Sequence, residues 1–194
     1  MEKILEKDHK EICEDILKQI NNENVKIEID DTSNTNFYIF LTNTIIISNK
    51  KIKTKKSIDE QNKSKLLVTA HECAHSMQPK FVQWINFVLT NLEILMFLAI
   101  LFITFILKYT NPILTYTYLG ISIFSILIRH YLEMDATIKS VKITAKYLQN
   151  NGVEKEKIIE LIKYYKGKLL KTMPLFVLGL YITKIARLMI VLVI

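Results

Sequence analysis

Apolar and polar residues follow short periods over the first 80 residues of the chain. Over residues 4–20 the apolar positions recur every three or four residues, which predicts an amphipathic helix. Residues 25–29 alternate apolar and charged side chains, as in a half-exposed strand, and residues 37–41 and 44–47 are β-branched or aromatic runs that predict a hairpin. Residues 57–78 have the pattern of a further helix. We therefore expect a small domain of helices and strands.

Much longer apolar runs follow this domain. Residues 81–107 hold a single charge and residues 112–128 hold none, so each run is long enough for a membrane-spanning helix. Residues 131–172 are polar again and predict two helices that are broken near residues 150–152. Residues 174–194 form a third apolar run, but two basic side chains lie inside it, so it is expected either to span the membrane or to lie at its surface.

These patterns predict a mainly α fold with a small β hairpin or sheet. Residues 1–80 are expected to form a minidomain, and residues 81–130 a transmembrane helical hairpin. Residues 131–173 are expected to be cytoplasmic helices, and residues 174–194 a C-terminal transmembrane or interfacial helix. Only four glycines and three prolines occur in 194 residues, which favours such a helix-rich chain.

Charge indicates which side of the membrane the polar parts face. The first 80 residues balance 13 basic against 13 acidic residues, so the net charge of +7 lies in the rest of the chain. Nine lysines fall within residues 131–172, and the positive-inside rule therefore makes this segment and the N-terminal domain cytoplasmic. Basic residues that flank apolar runs predict a multi-pass protein of the cell membrane, in contact with the lipid bilayer and not with nucleic acid. Two cysteines, Cys13 and Cys73, provide no disulfide framework.

One motif carries recognisable chemistry. His71, Glu72 and His75 form the pattern His-Glu-x-x-His near the end of a predicted helix. Residues four apart lie on one helix face, so the two imidazoles can bind a single zinc ion. Glu72 is then placed to take the proton of a zinc-activated water. We expect one Zn²⁺ per chain, with Glu72 as the general base, and therefore a zincin-like minidomain over residues 1–80.

A catalytic zinc needs a third protein ligand. The cytoplasmic end of the second apolar run offers His130, Glu133 and Asp135, and a transmembrane hairpin returns this end to the side of the membrane that holds the motif. The sequence pattern alone does not choose among these three. His130 is interpreted mainly as an interfacial residue at the end of the span, with metal ligand and transition-state donor as alternatives.

The motif with its following residues, His71-Glu72-Cys73-Ala74-His75-Ser76-Met77-Gln78, resembles the His-Glu-x-x-His-x-x-Gln segment of the YugP-type integral-membrane zinc metallopeptidases. In that family a two-span hairpin follows, and then a Glu-aromatic-Asp/Asn-Ala-Ser element, to which residues 133–137 of this chain correspond. The resemblance implies that Glu133 is the third zinc ligand, as in the broader gluzincin group. It also implies that Asp135 supports the site without binding the metal.

The chain departs from the family pattern at three places. Relatives usually have an N-terminal membrane anchor, whereas this sequence begins with a predicted charged helix. Met134 replaces an aromatic residue, which is expected to be a change of packing only. Thr137 stands where larger relatives often have an Asp, so support for the site is expected to come partly from elsewhere.

We therefore predict a membrane-embedded zinc metalloendopeptidase, a hydrolase that cleaves peptides or membrane proteins near the cytoplasmic face. The alternative is a non-catalytic membrane protein that uses zinc structurally. Structural sites usually fill all four metal positions with Cys and His and have no use for Glu72, which favours the enzyme. The sequence predicts neither the substrate nor the oligomeric state.

Further residues carry subsidiary predictions. Zinc peptidases commonly hold a substrate as an added strand, and the predicted strand of Thr44, Ile45, Ile46 and Ile47 is the candidate substrate-binding edge, with an ordinary core hairpin as the alternative. Glu93 is expected to pair with Lys184 or Arg187 inside the helix bundle. Cys73 is expected to be a small buried residue and His9 a solvated one. The lysine-rich residues 50–56 are expected to be a solvated loop, with contact to anionic headgroups as the alternative.

Overall fold

A computed structural model describes residues 7–33, 35–48 and 58–193 of the chain, and of residues 58–59 and 168–180 it describes the backbone only. Within these residues the fold is mainly helical with one small three-stranded sheet, as the sequence predicts. The chain divides into two compact units. The first unit consists of Met1–Gln78 and Met134–Gly167, and the second of Pro79–Glu133 and Lys168–Ile194.

The elements follow one another along the chain in a simple order. The N-terminal part has helix α1, strands β1 to β3 and helix α2, and three longer helices, α3 to α5, complete the chain. Their bounds are α1 His9–Gln19, β1 Lys26–Asp30, β2 Phe37–Ile39, β3 Thr44–Ser48, α2 Ile58–Ser76, α3 Lys80–Phe105, α4 Pro112–Asn150 and α5 Lys155–Val193. The predicted helices over residues 4–20 and 57–78 are confirmed where the structure describes them, whereas residues 50–56 lie outside the described part.

Helix α1 shows how local sequence sets these boundaries. The Asp8 side chain accepts a hydrogen bond from the Glu11 backbone N–H at 2.7 Å and so caps the first turn. Ile12 and Ile16 are among the residues that α1 buries against the rest of the first unit. After the helix ends, Asn21 adopts a positive φ of 54°, a conformation that asparagine tolerates better than most residues.

The sheet has the order β1-β3-β2, with β3 parallel to β1 and antiparallel to β2. The predicted hairpin is thus confirmed, with Asn43 at φ 52° in its turn. The prediction of a substrate-binding edge at Thr44, Ile45, Ile46 and Ile47 is wrong, because this strand is the central one and has a partner on each side. All four residues are buried, which is the environment of a core strand.

One hydrophobic cluster holds the first unit together. Small residues of α2, namely Ala70, Cys73 and Ala74, are fully buried in this cluster beside Ala136 of α4. Small side chains allow two helices to approach closely. The cluster extends to Tyr147 and Tyr165, whose hydroxyls donate to the Asp15 carboxylate at 3.2 Å and to the Lys63 backbone oxygen at 2.7 Å. Helix α4 and the helix that carries the His-Glu-x-x-His motif therefore contribute to the same hydrophobic core.

The long helices are more continuous than the sequence pattern suggests. The second apolar run and the polar segment after it form one unbroken helix, α4, of 39 residues. The predicted break near residues 150–152 is confirmed, and Gly152 there has a φ of 73°. Helix α5 also has 39 residues and runs through residue 174 without a break.

Two of these helices, α3 and α4, are long and apolar enough to cross a membrane. Among the residues that the structure describes, no other helix meets the same criterion, so a span over residues 174–194 stays a prediction. The expected pairing of Glu93 is confirmed inside the second unit. Its carboxylate contacts the side chains of both Lys184 and Arg187.

Candidate metal centre

Helix α2 presents both histidines of the motif on one face. The rings of His71 and His75 meet edge to face, with centroids 4.7 Å apart, and their Nε2 atoms are 3.1 Å apart. This is the arrangement expected from a four-residue spacing on an α-helix. Both histidines are only partly buried.

Glu133 comes to this nitrogen pair from α4. The second unit contains Pro79–Glu133, so Glu133 is the residue at which this segment ends. The next residue of the same unbroken helix, Met134, belongs to the first unit. Ala136, about one turn further along α4, lies in the hydrophobic cluster that contains Ala70 and Cys73 of α2. One ligand atom from each of His71, His75 and Glu133 forms a group in which all three atoms lie within 4.8 Å of one another.

The chemistry of this group fits zinc. In a tetrahedral site with ligand bonds of about 2.0–2.1 Å, two nitrogen ligands stand about 3.3 Å apart, close to the separation of the two Nε2 atoms. Two imidazoles and one carboxylate are a donor set of catalytic zinc sites, in which the fourth position is left to water or substrate. The group of three residues could therefore hold a metal ion.

The carboxylate of Glu133 is held in place from its own helix. It is only 4% exposed, and Arg129, one turn earlier, places Nη2 2.7 Å from Glu133 Oε1. This contact with a guanidinium restricts the orientation of the carboxylate. The second carboxylate oxygen can bind a metal while Oε1 accepts from Arg129.

His75, a second member of the group, has a hydrogen-bond partner that determines which ring nitrogen carries the proton. Gln78 Nε2 donates to Asp135 Oδ2 at 3.1 Å, and this bond requires the amide oxygen of Gln78 to face His75. Because Gln78 Oε1 lies 2.9 Å from His75 Nδ1, that nitrogen carries the proton and donates it. The lone pair of His75 Nε2 then points toward His71 and the metal position.

A lysine completes this chain of contacts. Lys139 Nζ donates to Asp135 Oδ2 at 2.7 Å, so the carboxylate receives two hydrogen bonds and is anchored within its own helix. We refer to His75, Gln78, Asp135 and Lys139 as the histidine-orienting chain. The role that the resemblance implies for Asp135, support of the site without binding the metal, stays a prediction. The sequence analysis assigned no role to Lys139, although its spacing of four residues from Asp135 on a helix was a usable signal.

His130 is not part of the metal-binding group among the residues that the structure describes. It is partly buried on α4, one residue after Arg129. Its use as a metal ligand is therefore not supported. Arg129 itself was not singled out from the sequence as a site residue, although its spacing of four residues from Glu133 is typical of helical ion pairs.

Cys73 lies inside the motif but on another face of α2. Its Sγ is 3.6 Å from the Sγ of Cys13 on α1, and both residues are fully buried. The hydrogen bond with Cys13, together with burial, raises the pKa of the Cys73 thiol well above its ordinary value. A thiol of this kind stays neutral, so the expectation of a small buried residue is confirmed.

His9 differs from the prediction. It is partly buried, and its Nδ1 lies 3.0 Å from Thr69 Oγ1 on α2. Burial, with a smaller contribution from the charge of Lys65, lowers the pKa of His9 to about 4. The expected solvated residue is thus a neutral histidine that joins α1 to the helix of the motif.

Comparisons of the chain with protein-family models, with curated proteins and with solved structures found no match.

Proposed function

We propose that this protein is a membrane-bound zinc metalloendopeptidase with His71, His75 and Glu133 as metal ligands and Glu72 as the general base. The observation that carries the proposal is the three-residue group itself. Glu133 is far from the histidines in sequence, yet one of its ligand atoms lies within 4.8 Å of theirs. The motif also places a carboxylate directly beside the first histidine, which a structural metal site does not need.

The activity follows from the roles of these residues. A bound zinc ion supplies a Lewis acid that polarises a peptide carbonyl and makes water a better nucleophile. Glu72 follows His71 directly in the chain and is largely buried, so its carboxylate is shielded from bulk water. It takes a proton from the attacking water and passes it to the departing amine nitrogen, so that the carboxylate is restored. The histidine-orienting chain keeps the lone pair of His75 directed at the metal throughout.

The proposed location is the cell membrane, with the site at the cytoplasmic face. Helices α3 and α4 have the length and apolar composition to cross a bilayer, and the lysine-rich residues 131–172 favour the cytoplasmic side under the positive-inside rule. Residues 174–194 are proposed to be a third membrane helix. The resemblance of the motif and of residues 133–137 to YugP-type peptidases supports the same proposal. The substrates would be peptides or membrane proteins with cytoplasmic segments.

The test is replacement of Glu72 by Gln, which removes the base but keeps the size of the side chain. Purified Glu72→Gln protein should retain about one zinc ion per chain and lose about 100-fold or more of its hydrolysis of a quenched fluorescent peptide mixture. Glu14→Gln is the matched control, because Glu14 is an exposed residue of α1 and the same change there should alter neither quantity.

Three other results would contradict the proposal. In the first, the native protein retains zinc but hydrolyses no peptide, and cells that express Glu72→Gln contain the same set of cleaved proteins. This result supports a structural metal instead. Native protein without zinc after purification in zinc-containing buffer removes the metal site. Full activity of Glu72→Gln removes the assigned base.

A further inference from the structure

The helices of the second unit have polar side chains on their inward faces over one half of their length. On α3 these residues recur at spacings of three and four, which is one face of a helix. They are Gln83, Asn86, Thr90 and Glu93. Further along the same face, Phe97 and Ile100 are apolar. The change from polar to apolar comes just after Glu93, which is near the middle of the helix.

Helix α4 repeats this pattern in the opposite direction. Its inward positions are spaced by four, three, four and four residues, and they are Tyr118, Ser122, Ser125, Arg129 and Glu133. Tyr118, Ser122 and Ser125 are fully buried. The intervening Ile123 and Phe124 are 55% and 51% exposed, and in a membrane they would face lipid. The polar face of α4 therefore ends at the proposed metal ligand Glu133.

Charged residues lie at the deep end of these two polar faces. Lys184 Nζ of α5 is 2.5 Å from Glu93 Oε2 and also donates to Ser125 Oγ at 2.5 Å. Arg187 Nη2 is 3.2 Å from Glu93 Oε1. Two cations thus share one anion, which leaves an excess positive charge. In hydrocarbon such a charge is unfavourable unless water or a further anion accompanies it.

Several polar atoms of these helices are buried without a protein partner among the described residues. They include the hydroxyl of Tyr181, the amide oxygen of Asn86 and the Nε–H of Arg187. Within a bilayer, an unpaired buried polar group costs several kcal/mol. Ordered water is the partner that suits both hydroxyls and N–H groups in a polar interior. The apolar cluster of Ile100 and Val191 lies beyond the polar region.

We propose that the interior of the second unit is a hydrated track. It is open to water at the Glu133 end and closed beyond Glu93 by the apolar cluster. Glu93 lies 13 residues after Lys80, so at the helical rise of 1.5 Å per residue the track reaches about 20 Å along α3. An ion pair that serves only to hold the helices together needs no polar side chains between itself and the Glu133 end. A path for water needs them along its whole length. The inference rests on the membrane placement in the proposed function and does not depend on peptidase activity.

Cysteine labelling in membranes tests the track. Ser122→Cys and Ser125→Cys place a thiol on the inward face, and Ile123→Cys and Phe124→Cys are adjacent outward controls. A third control, Ile100→Cys, is inward but lies in the apolar cluster. Each variant is treated with an anionic methanethiosulfonate in inside-out vesicles, and the native chain with its two buried cysteines gives the background. Because these reagents need a thiolate in water, the serine positions should react about ten-fold or more faster than all three controls.

Each outcome decides the matter. Equal and slow reaction at all five positions overturns the track and leaves a dry ion pair. Equal and fast reaction at Ser122→Cys, Ile123→Cys and Phe124→Cys shows that these helices are not in lipid, which overturns both the track and the proposed membrane placement. If Ser125→Cys fails to fold because Lys184 loses its hydroxyl partner, Ser122→Cys carries the comparison alone. None of these rates changes if the protein proves to have no peptidase activity.

Discussion

Single residues in the histidine-orienting chain decide which nitrogen of His75 is available to a metal. The Asp135 carboxylate can only accept hydrogen bonds, so it turns the Gln78 amide until the amide oxygen faces His75 Nδ1. The proton therefore stays on Nδ1, and Nε2 remains the ligand atom. An imidazole that is fixed in this way has lost the freedom to turn away from the metal, which raises the affinity of the site.

Replacing Gln78 by Ala should lower zinc affinity about 10-fold to 100-fold, because the orientation and tautomer of His75 are then no longer fixed. Asp135→Asn should have a smaller effect and Lys139→Met the smallest, since each acts one contact further from His75. Competition with a chromogenic zinc chelator at constant pH measures the affinities. Met77→Ala is the control, because Met77 is exposed and adjacent to Gln78. Equal affinities for Gln78→Ala and Met77→Ala would remove the assigned role.

Among the secondary-structure elements, the packing of α4 against α2 determines where Glu133 stands. Ala70, Cys73 and Ala74 of α2 and Ala136 of α4 belong to one buried cluster, and we expect this shared core to hold the two helices in place. The side chain of Ala136 is fully buried, so a larger residue has no space there unless the two helices separate. Glu133 precedes Ala136 by three residues and would move with the helix.

Ala136→Leu should therefore destabilise the first unit by about 1 to 3 kcal/mol and weaken zinc binding as well. A thiol-reactive dye follows this unfolding directly, because Cys13 and Cys73 are buried in the same cluster and react only when it opens. Ile138→Leu changes an exposed position of the same helix and should leave the unfolding temperature and the zinc affinity unchanged. A stable Ala136→Leu protein with native affinity would show that this contact does not position Glu133.

Sequence periodicity predicted most elements, because each amphipathic helix or strand records its buried face locally. It could not predict the order of the strands. The buried Thr44–Ser48 strand reads the same whether it lies at an edge or in the centre, and only the pairing with Lys26–Asp30 settles this. The motif located His71 and His75, but residues 130–135 offered three donors, and only the tertiary structure shows that Glu133 lies close to the two histidines. His9 was misjudged because its burial depends on Thr69, which is 60 residues away in sequence.

On the scale of the whole molecule, the second unit combines an apolar exterior with a charged interior. Glu93 is fully buried and contacts Lys184 and Arg187, and it is the only acidic residue in this contact. Removing one member of a buried pair leaves an uncompensated charge, whereas removing both members removes the cost as well. The effect of removing Glu93 should therefore depend strongly on whether its cationic partners are still present.

We expect Glu93→Gln and Lys184→Met each to lower the folded yield in mild detergent, Glu93→Gln more severely, because both cations then lose their anion. The double variant should be less affected than the sum of the single effects, with a coupling of about 1 to 3 kcal/mol. The control is an exposed ion pair of the first unit, which Glu154→Gln and Lys157→Met remove. Each of these changes should leave the folded yield nearly unchanged, and their effects should be additive. Additive losses for Glu93→Gln and Lys184→Met would contradict the interdependence.

The continuity of α4 restricts how the length of this protein can change during evolution. One inserted or deleted residue between Ser125 and Arg129 would turn every later position by about 100° relative to the earlier ones. Glu133 would then leave the face that it shares with Tyr118 and Ser122. A change of seven residues, close to two full turns, would nearly preserve that face. Natural length variation should therefore collect in the connections over residues 106–111 and 151–154, while the number of residues between Ser122 and Glu133 stays constant or changes by seven.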